Sequence, residues 1–232
     1  MLGVLANSLT VILGTVIGLL FQKIMPKKLG DAVMIGVALC TLYIGVDGML
    51  EGDNAIITVL SVALGAVIGT LLDLDGLFQR FGAWMEARFS SKKQEDGEAP
   101  AKKGLAEGFV SSTLLFCVGA MAVVGSLNAG FGDNSTLYAK AVIDGITAIF
   151  FASSLGLGVM LSSASLFVYQ GAIALLAGLL KDVLSETVIA EMTCVGSLLL
   201  IALALNLLGL TKIKLMNYLP AIFLPILFCL FL

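Results

Sequence analysis

The residue with the clearest chemical potential is an acid inside an apolar stretch. Asp144 lies in IDGITAIFFASSLGLGVMLSSAS (143–165), where the other residues are mostly apolar, serine or glycine. Steps of three and four residues place Lys140, Asp144, Thr147, Phe151 and Ser154 on one helix face. A carboxylate in lipid is unfavourable, so this face should meet protein or a water-filled cavity. Asp144 is then either an ion-binding acid or the partner of Lys140 in a structural ion pair.

The run SSLGLG at 153–158 is the second candidate. Serine and glycine weaken a helix, and irregular backbone at membrane depth is tolerated inside protein or along a cavity. A broken helix there would offer Ser153, Ser154 and the backbone around Gly156 and Gly158 as ligands for an ion. A tight turn between two helices fits the same residues.

Other polar residues in apolar segments are candidate pathway groups. Asn7 can line a pathway or belong to a helix contact. Glu191 can lie in a pathway or at the outer interface, while Tyr169 and Gln170 can line a cavity or bond between helices. The full set of candidate binding residues is Asn7, Asp144, Thr147, Ser153, Ser154, Gly156, Gly158, Gln170, Glu191 and Asn206.

These residues must be positioned by membrane-spanning helices. Of the 232 residues, 59% are hydrophobic and 12% are charged, whereas a soluble domain is about a quarter charged. The apolar residues form blocks of the length that a helix needs to cross a bilayer. The sequence therefore predicts an all-α polytopic bundle with about eight spans. These are 3–21, 32–50, 55–72, 106–126, 138–156, 160–180, 187–209 and 215–232.

Basic residues predict the orientation of the spans. If residues 22–31, 73–105, 157–159 and 210–214 face the cytoplasm, only Lys140 and Lys181 of the 13 basic residues lie elsewhere. Cytoplasmic loops are enriched in Lys and Arg. We therefore expect a multi-pass protein of the bacterial inner membrane with its amino terminus outside.

The segment after the third span differs in kind. Apolar residues recur at helical spacing from 74 to 90, which predicts an amphipathic helix at the membrane interface. The polar, charged residues that follow predict a flexible linker. We expect a three-span front unit (1–72), a cytoplasmic helix and linker (73–104) and a five-span back unit (105–232), in one membrane domain.

Small residues predict close helix contacts. Gly14 and Gly18 form a GxxxG pattern in the first span, as do Gly65 and Gly69 in the third. We expect these glycines at helix interfaces and expect a homodimer. The tripeptide GDN also occurs twice, at 52–54 and 132–134, each time after a glycine-rich span.

The chain has no histidine, and its four cysteines are isolated within apolar segments. Histidine-based catalysis and metal binding are thereby excluded, and the cysteines are typical of packing residues. We identify no metal motif and no facing serine–lysine pair. The sequence predicts neither an enzyme, nor a cofactor, nor a nucleic-acid partner.

Three stretches of the chain carry a family resemblance. They are LANSLTVILGTVIGLL near the start, IDGITAIFFASSLGLGVMLSSASLFVYQG (143–171) and EMTCVGSLLLIALALNLLGLTKIKLMNYLPA (191–221). In these stretches the chain resembles the DUF554 (YqgA/YdfK-like) family of bacterial membrane proteins. The chain departs from the family pattern at Ala6 and Ser165. Such proteins are described as small inner-membrane proteins of unknown function, sometimes as transporters. The matching motif positions are Asn7, Asp144, Ser154, Gly156, Gly158, Tyr169, Gln170, Glu191, Thr193, Asn206 and Asn217.

The polar residues within the spans favour a secondary transporter or ion-coupled permease. Asp144 would bind Na+ or H+ beside the 153–158 break, and the substrate would be small and polar or cationic. The alternative is a non-transporting membrane scaffold or accessory subunit, in which the same residues would pack against one another without a pathway.

Overall fold

A computed structural model describes residues 1–24, 26–78, 80, 105–181 and 183–231, and every regular element in these ranges is helical. The helices are α1 (Leu2–Ile24), α2 (Lys27–Met49), α3 (Ala55–Leu71), α4 (Leu105–Cys117), α5 (Ala120–Gly130), α6 (Ser135–Leu155), α7 (Gly158–Leu175), α8 (Ala177–Leu180), α9 (Glu186–Leu207), a 3-10 helix (Leu215–Phe223) and α10 (Leu224–Phe228). The predicted all-α fold is confirmed.

Five of the helices in the described ranges are long and apolar enough to cross a membrane. They are Leu2–Gln22, Lys28–Met49, Ser135–Leu155, Gly158–Leu175 and Glu186–Leu207. Counting α4 and α5 together as one bent span gives six. The predicted number of eight is therefore not confirmed.

The three other predicted spans are shorter or broken for identifiable reasons. α3 has 17 residues, which is about 25 Å of helix. The fourth predicted span is not straight, because α4 and α5 meet at 66° next to Gly119, whose φ of +114° is unfavourable for other residues. At the carboxyl end, Pro220 lies inside the 3-10 helix, and Pro225 begins α10.

The SSLGLG run joins two complete helices. α6 ends at Leu155 and α7 begins at Gly158, and each is long enough to span by itself. Gly156 connects them with a φ of +76°, a conformation that glycine adopts readily. Within the described residues, the bent pair of helices is thus α4 and α5, whereas the SSLGLG run ends α6, turns at residues 156–157 and begins α7.

Part of the predicted interfacial helix is visible. Residues 74–78 are helical, and Leu74 and Phe78 pack against the main core. Phe78 also stacks on Phe109 of α4, with 6.2 Å between the ring centroids. The rest of the predicted helix, from 81 to 90, and the linker up to residue 104 lie outside the described residues.

The face of α1 that carries its small residues packs on α6. Gly3 lies against Leu137, Gly14 against the carbonyl of Gly145, and Gly18 against the carbonyl of Ile149. A Cβ at Gly14 or Gly18 would collide with that backbone, so only glycine permits the contact. Because low numbers in α1 meet low numbers in α6, the two helices run parallel.

The other two front helices also pack on the back of the chain. α2 runs antiparallel to α9, with Gly45 against Ile201 and Gly48 against Ser197. α3 runs antiparallel to the 3-10 helix, where Gly65 meets Ala221 and Gly69 meets the carbonyl of Asn217. The front helices therefore lie among the back helices, with α1, α2 and α3 each on a different one.

α9 is the central helix of the bundle. It is the most buried of the five span-length helices and contributes Met192, Leu199, Leu200 and Leu203 to the core. Large apolar side chains also cover the outside, including Val168 at 68% exposure and Leu175 at 74%. Such an apolar exterior suits a lipid surrounding.

Candidate functional site

Four polar side chains meet where α1, α6 and α7 come together. Lys140 Nζ lies 3.0 Å from Asp144 Oδ1 and 3.0 Å from Oδ2. Asn7 Nδ2 donates to Asp144 Oδ2 at 3.0 Å and to Gln170 Oε1 at 3.3 Å. We call Asn7, Lys140, Asp144 and Gln170 the Asp144 centre.

The Asp144 centre is enclosed by protein. Asn7 and Gln170 are fully buried, Asp144 is 4% exposed and Lys140 is 7% exposed. Asp144 is the tenth residue of the 21-residue helix α6, which places the carboxylate near its middle. A buried charge is tolerated when it is paired and hydrogen-bonded, and the ammonium of Lys140 and the amide of Asn7 provide both.

The pairing of α1 with α6 sets the position of Asn7. The Gly3 N–H donates to Asn134 Oδ1 at 2.9 Å just before α6 begins, and Gly14 fixes the contact further along. Asn7 lies between these points on the same face.

The loop before α6 has a local hydrogen bond of its own. The backbone N–H of Ser135 donates to Asp133 at 2.9 Å and, with the Ser135 hydroxyl, lowers the pKa of the Asp133 carboxyl.

Two atoms of the Asp144 centre lack a hydrogen-bond partner within the described residues. They are Asn7 Oδ1, an acceptor, and Gln170 Nε2, a donor. Buried polar atoms are nearly always paired with protein, water or a ligand. The centre can therefore still accept one hydrogen bond from, and donate one to, a small polar species.

The other predicted residues of α6 do not join this centre. Thr147 donates to the carbonyl of Ile143 at 2.8 Å, and Ser153 donates to that of Phe150 at 2.8 Å. The Ser154 hydroxyl is buried without a partner among the described residues. Gly156 forms the connection to α7, while Gly158 packs against the backbone of Leu105.

Glu191 lies at a different site, where it anchors the loop before α3. Its Oε1 accepts the backbone N–H groups of Asp53 at 2.9 Å and Asn54 at 2.7 Å. Thr58 lies 3.5 Å from Oε2, and the Glu191 side chain is 1% exposed. Glu191 thus satisfies amides at the start of α3, where the helix has no partners of its own.

Asn206 and Asn217 hold the opposite end of the bundle in a similar way. Asn206 donates to the carbonyl of Ile213 at 2.8 Å and accepts from Thr211 at 2.7 Å and from the Ile213 N–H at 2.9 Å. Asn217 Oδ1 accepts the N–H of Asp75 at 2.9 Å. Both side chains fix short backbone segments.

A cavity of about 430 Å³ lies beside these asparagines. Its polar lining includes Asp75, Glu107, Asn206, Thr211 and Lys212. A smaller cavity of about 150 Å³ is lined by Thr113, Cys117, Ser165 and Tyr169 among others. Neither of these cavities is lined by a residue of the Asp144 centre.

The predicted residues therefore separate into several places. Asn7, Asp144 and Gln170 come together, while Glu191 and Asn206 each belong to a separate cluster. The spacing of four residues indicates Lys140 as the partner of Asp144, yet it is missing from the predicted binding set. Within the described residues, no group of three or more acids or cysteines is arranged to hold a metal ion.

The helical architecture and its apolar exterior define a multi-pass membrane protein. The chain belongs to the family described as "Protein of unknown function (DUF554)", which it matches over residues 2–230. It is 29% identical over 230 residues to "Uncharacterized membrane protein YdfK" of Bacillus subtilis (strain 168), covering 97% of this chain and 94% of that protein. It is 30% identical over 224 residues to "Uncharacterized protein YqgA" of Escherichia coli (strain K12), covering 96% and 94%. No solved structure matches the chain.

Proposed function

We propose that the protein is an ion-coupled secondary transporter for a small polar or cationic substrate. The observation that carries this proposal is the Asp144 centre, a buried ion pair with two amide side chains near the middle of a span-length helix. Ionisable residues inside membrane segments are unfavourable and usually mark a pathway for an ion or a proton. In this proposal Asp144 binds the coupling ion, and Lys140 is the counter-charge of the Asp144 carboxylate when no ion is bound.

We also propose eight crossings of the bacterial inner membrane with the amino terminus outside. Support comes from the alternation of the helix contacts: α1 and α6 run parallel, whereas α2 and α9 run antiparallel. Both orientations agree with eight crossings that alternate in direction, in which α1 and α6 are the first and fifth spans and α2 and α9 are the second and seventh. The concentration of basic residues in four alternate loops supports the same orientation.

In this orientation the larger cavity faces the cytoplasm. Its volume of about 430 Å³ falls within the range of small-molecule sites. Glu107 and Lys212 are charged groups on its wall, suited to a polar or zwitterionic molecule. We propose that it is the cytoplasmic vestibule of the transporter.

A transport assay with a matched variant tests the proposal. Purified protein in proteoliposomes would be given a panel of small polar metabolites under an imposed pH gradient or Na+ gradient, with uptake measured by mass spectrometry. We expect uptake of at least one class of compound by the wild type and loss of that uptake in D144N. Unchanged uptake in D144N would remove the role of Asp144, and an absence of uptake under both gradients would contradict transport.

The second candidate is a scaffold or accessory subunit that transports nothing. It is favoured by the direct contacts within the Asp144 centre, whose side chains bond to one another. A scaffold has no transport activity that depends on the centre. In the uptake assay above, neither the wild type nor a variant with Asn7 and Gln170 replaced by leucine would then take up any compound under either gradient.

We further propose a homodimer. The Gly14 and Gly18 face is covered by α6 of the same chain, so the dimer must use another surface. α2 is the least buried of the five span-length helices. Cysteines introduced at Leu39 and Tyr43, which are exposed on α2, should cross-link two copies in the membrane.

A further inference from the structure

The Asp144 centre differs from an open acidic site in that its carboxylate already holds a cation. Lys140 Nζ is 3.0 Å from both carboxylate oxygens. Any ion that binds Asp144 must compete with this ammonium. Building on the transport function proposed above, we propose that the coupling ion is a proton, which competes with Lys140 for the Asp144 carboxylate.

The oxygen atoms of the centre do not suit a metal cation. Hard cations take about six oxygen ligands. The side chains of the centre supply four: two from Asp144, Asn7 Oδ1 and Gln170 Oε1. Both oxygens of Asp144 contact Lys140, and Gln170 Oε1 accepts from Asn7. A metal cation would also be repelled by the Lys140 ammonium, whereas a proton needs only one carboxylate oxygen.

The proposed step is a proton transfer. A hydronium ion gives a proton to one carboxylate oxygen of Asp144: one O–H bond of the hydronium ion breaks, leaving water, and the new O–H bond removes the negative charge of the carboxylate. Lys140 keeps its own proton and loses its partner. It is the sixth residue of α6, one turn nearer the start of the helix than Asp144. Its flexible stem allows the ammonium to move toward that end of the bundle.

Among the described side chains, no acid or base of a neighbouring helix forms an ion pair with Lys140 or Asp144 other than these two residues with each other. α1 contributes Asn7 and α7 contributes Gln170, both neutral amides. Cys117 of α4 lies within electrostatic range of both Lys140 and Asp144. α5 carries no titratable residue. On α2, the titratable residues whose side chains are described are exposed, namely Lys28, Asp31, Cys40, Tyr43 and Asp47. Lys140 and Asp144 therefore face one another as a single pair of opposite charges.

The unpartnered amide atoms suggest how a proton reaches the pair. Asn7 Oδ1 and Gln170 Nε2 have no partner in the described residues. One water molecule can donate to the first and accept from the second. Such a water would stand beside the amide that bonds Asp144 and could deliver a proton to the carboxylate.

The proposal can be tested on the purified full chain without knowing the substrate. Tm would be measured from pH 5 to pH 9 for the wild type, for D144N and for D47N as a matched exposed acid. If folding changes the pKa of the Asp144 carboxyl, the Tm difference between wild type and D144N should change with pH by about 3–5 °C for each pKa unit of that change. D47N should follow the wild type. Replacing KCl with NaCl at equal concentration should leave the wild-type Tm unchanged.

Two results would overturn proton coupling. The first is a Tm difference between wild type and D144N that stays constant across this pH range. The second is a rise of Tm in NaCl that D144N lacks, because a bound ion stabilises the state that binds it. Uptake driven by a Na+ gradient alone would also refute the proton while leaving transport intact. If no compound is taken up, transport fails, and the Tm series still decides whether the pair titrates.

Discussion

Glu191 provides the most direct test of how polar contacts hold this bundle together. Its carboxylate accepts two backbone N–H groups at 2.9 and 2.7 Å and is 1% exposed. A hydrogen bond to a charged group contributes about 1.5–3 kcal/mol. Because Asp53 is exposed, water can replace part of that loss. We expect E191A to lower the free energy of unfolding by about 2–3 kcal/mol and E191Q, which keeps an acceptor, by about 1 kcal/mol.

The assay is reversible unfolding in mixed detergent micelles, with E186A in the first turn of the same helix as the control. Glu186 is exposed, so its removal should change stability by at most about 0.5 kcal/mol. Hydrogen exchange gives a local measurement, because the amides of Asp53 and Asn54 should exchange faster in E191A. If E191A is as stable as E186A and these amides remain protected, Glu191 does not anchor the loop.

Three further changes probe the packing, the cavity rim and the ion pair. Gly14→Ala should destabilise the protein by about 1–3 kcal/mol, whereas Gly36→Ala, with no atom near its Cβ position, should be neutral or stabilising in the same unfolding assay. Asn206→Ala should speed tryptic cleavage between α9 and the 3-10 helix; an unchanged cleavage rate would contradict the role of Asn206 in holding that segment. Lys140→Met and Asp144→Leu should each cost about 3–5 kcal/mol, and the double variant less than their sum, because each single change leaves a buried charge unpaired. Additive losses would show that the pair is not coupled.

Local spacing in the sequence is sufficient to pair Lys140 with Asp144. They are four residues apart on one helix, so their contact requires no knowledge of tertiary structure. The glycine stripe of α1 likewise predicts a close helix contact. It does not identify α6 as the partner, because a GxxxG face fits any backbone that can approach it.

Other contacts leave no such pattern. Glu191 bonds the backbone of residues 53 and 54, and backbone groups are the same at every position. The bend between α4 and α5 is equally hidden, because residues 106–126 are mostly apolar on both sides of it. Gly119 breaks that run with its backbone conformation, which a hydropathy pattern does not register.

The polar centre and the glycine contact of α1 depend on one another. Asn7 and Gly14 are seven residues apart, about 10 Å along the helix and on the same face. A shift of α1 along α6 by one residue would move Asn7 about 1.5 Å, enough to break a 3.0 Å bond to Asp144. The contact of Gly14 with Gly145 fixes that register. The buried Asp144 carboxylate in turn stabilises only the register in which Asn7 can donate a hydrogen bond to it. The same face of α1 thus determines both how closely the helices pack and which polar groups meet between them.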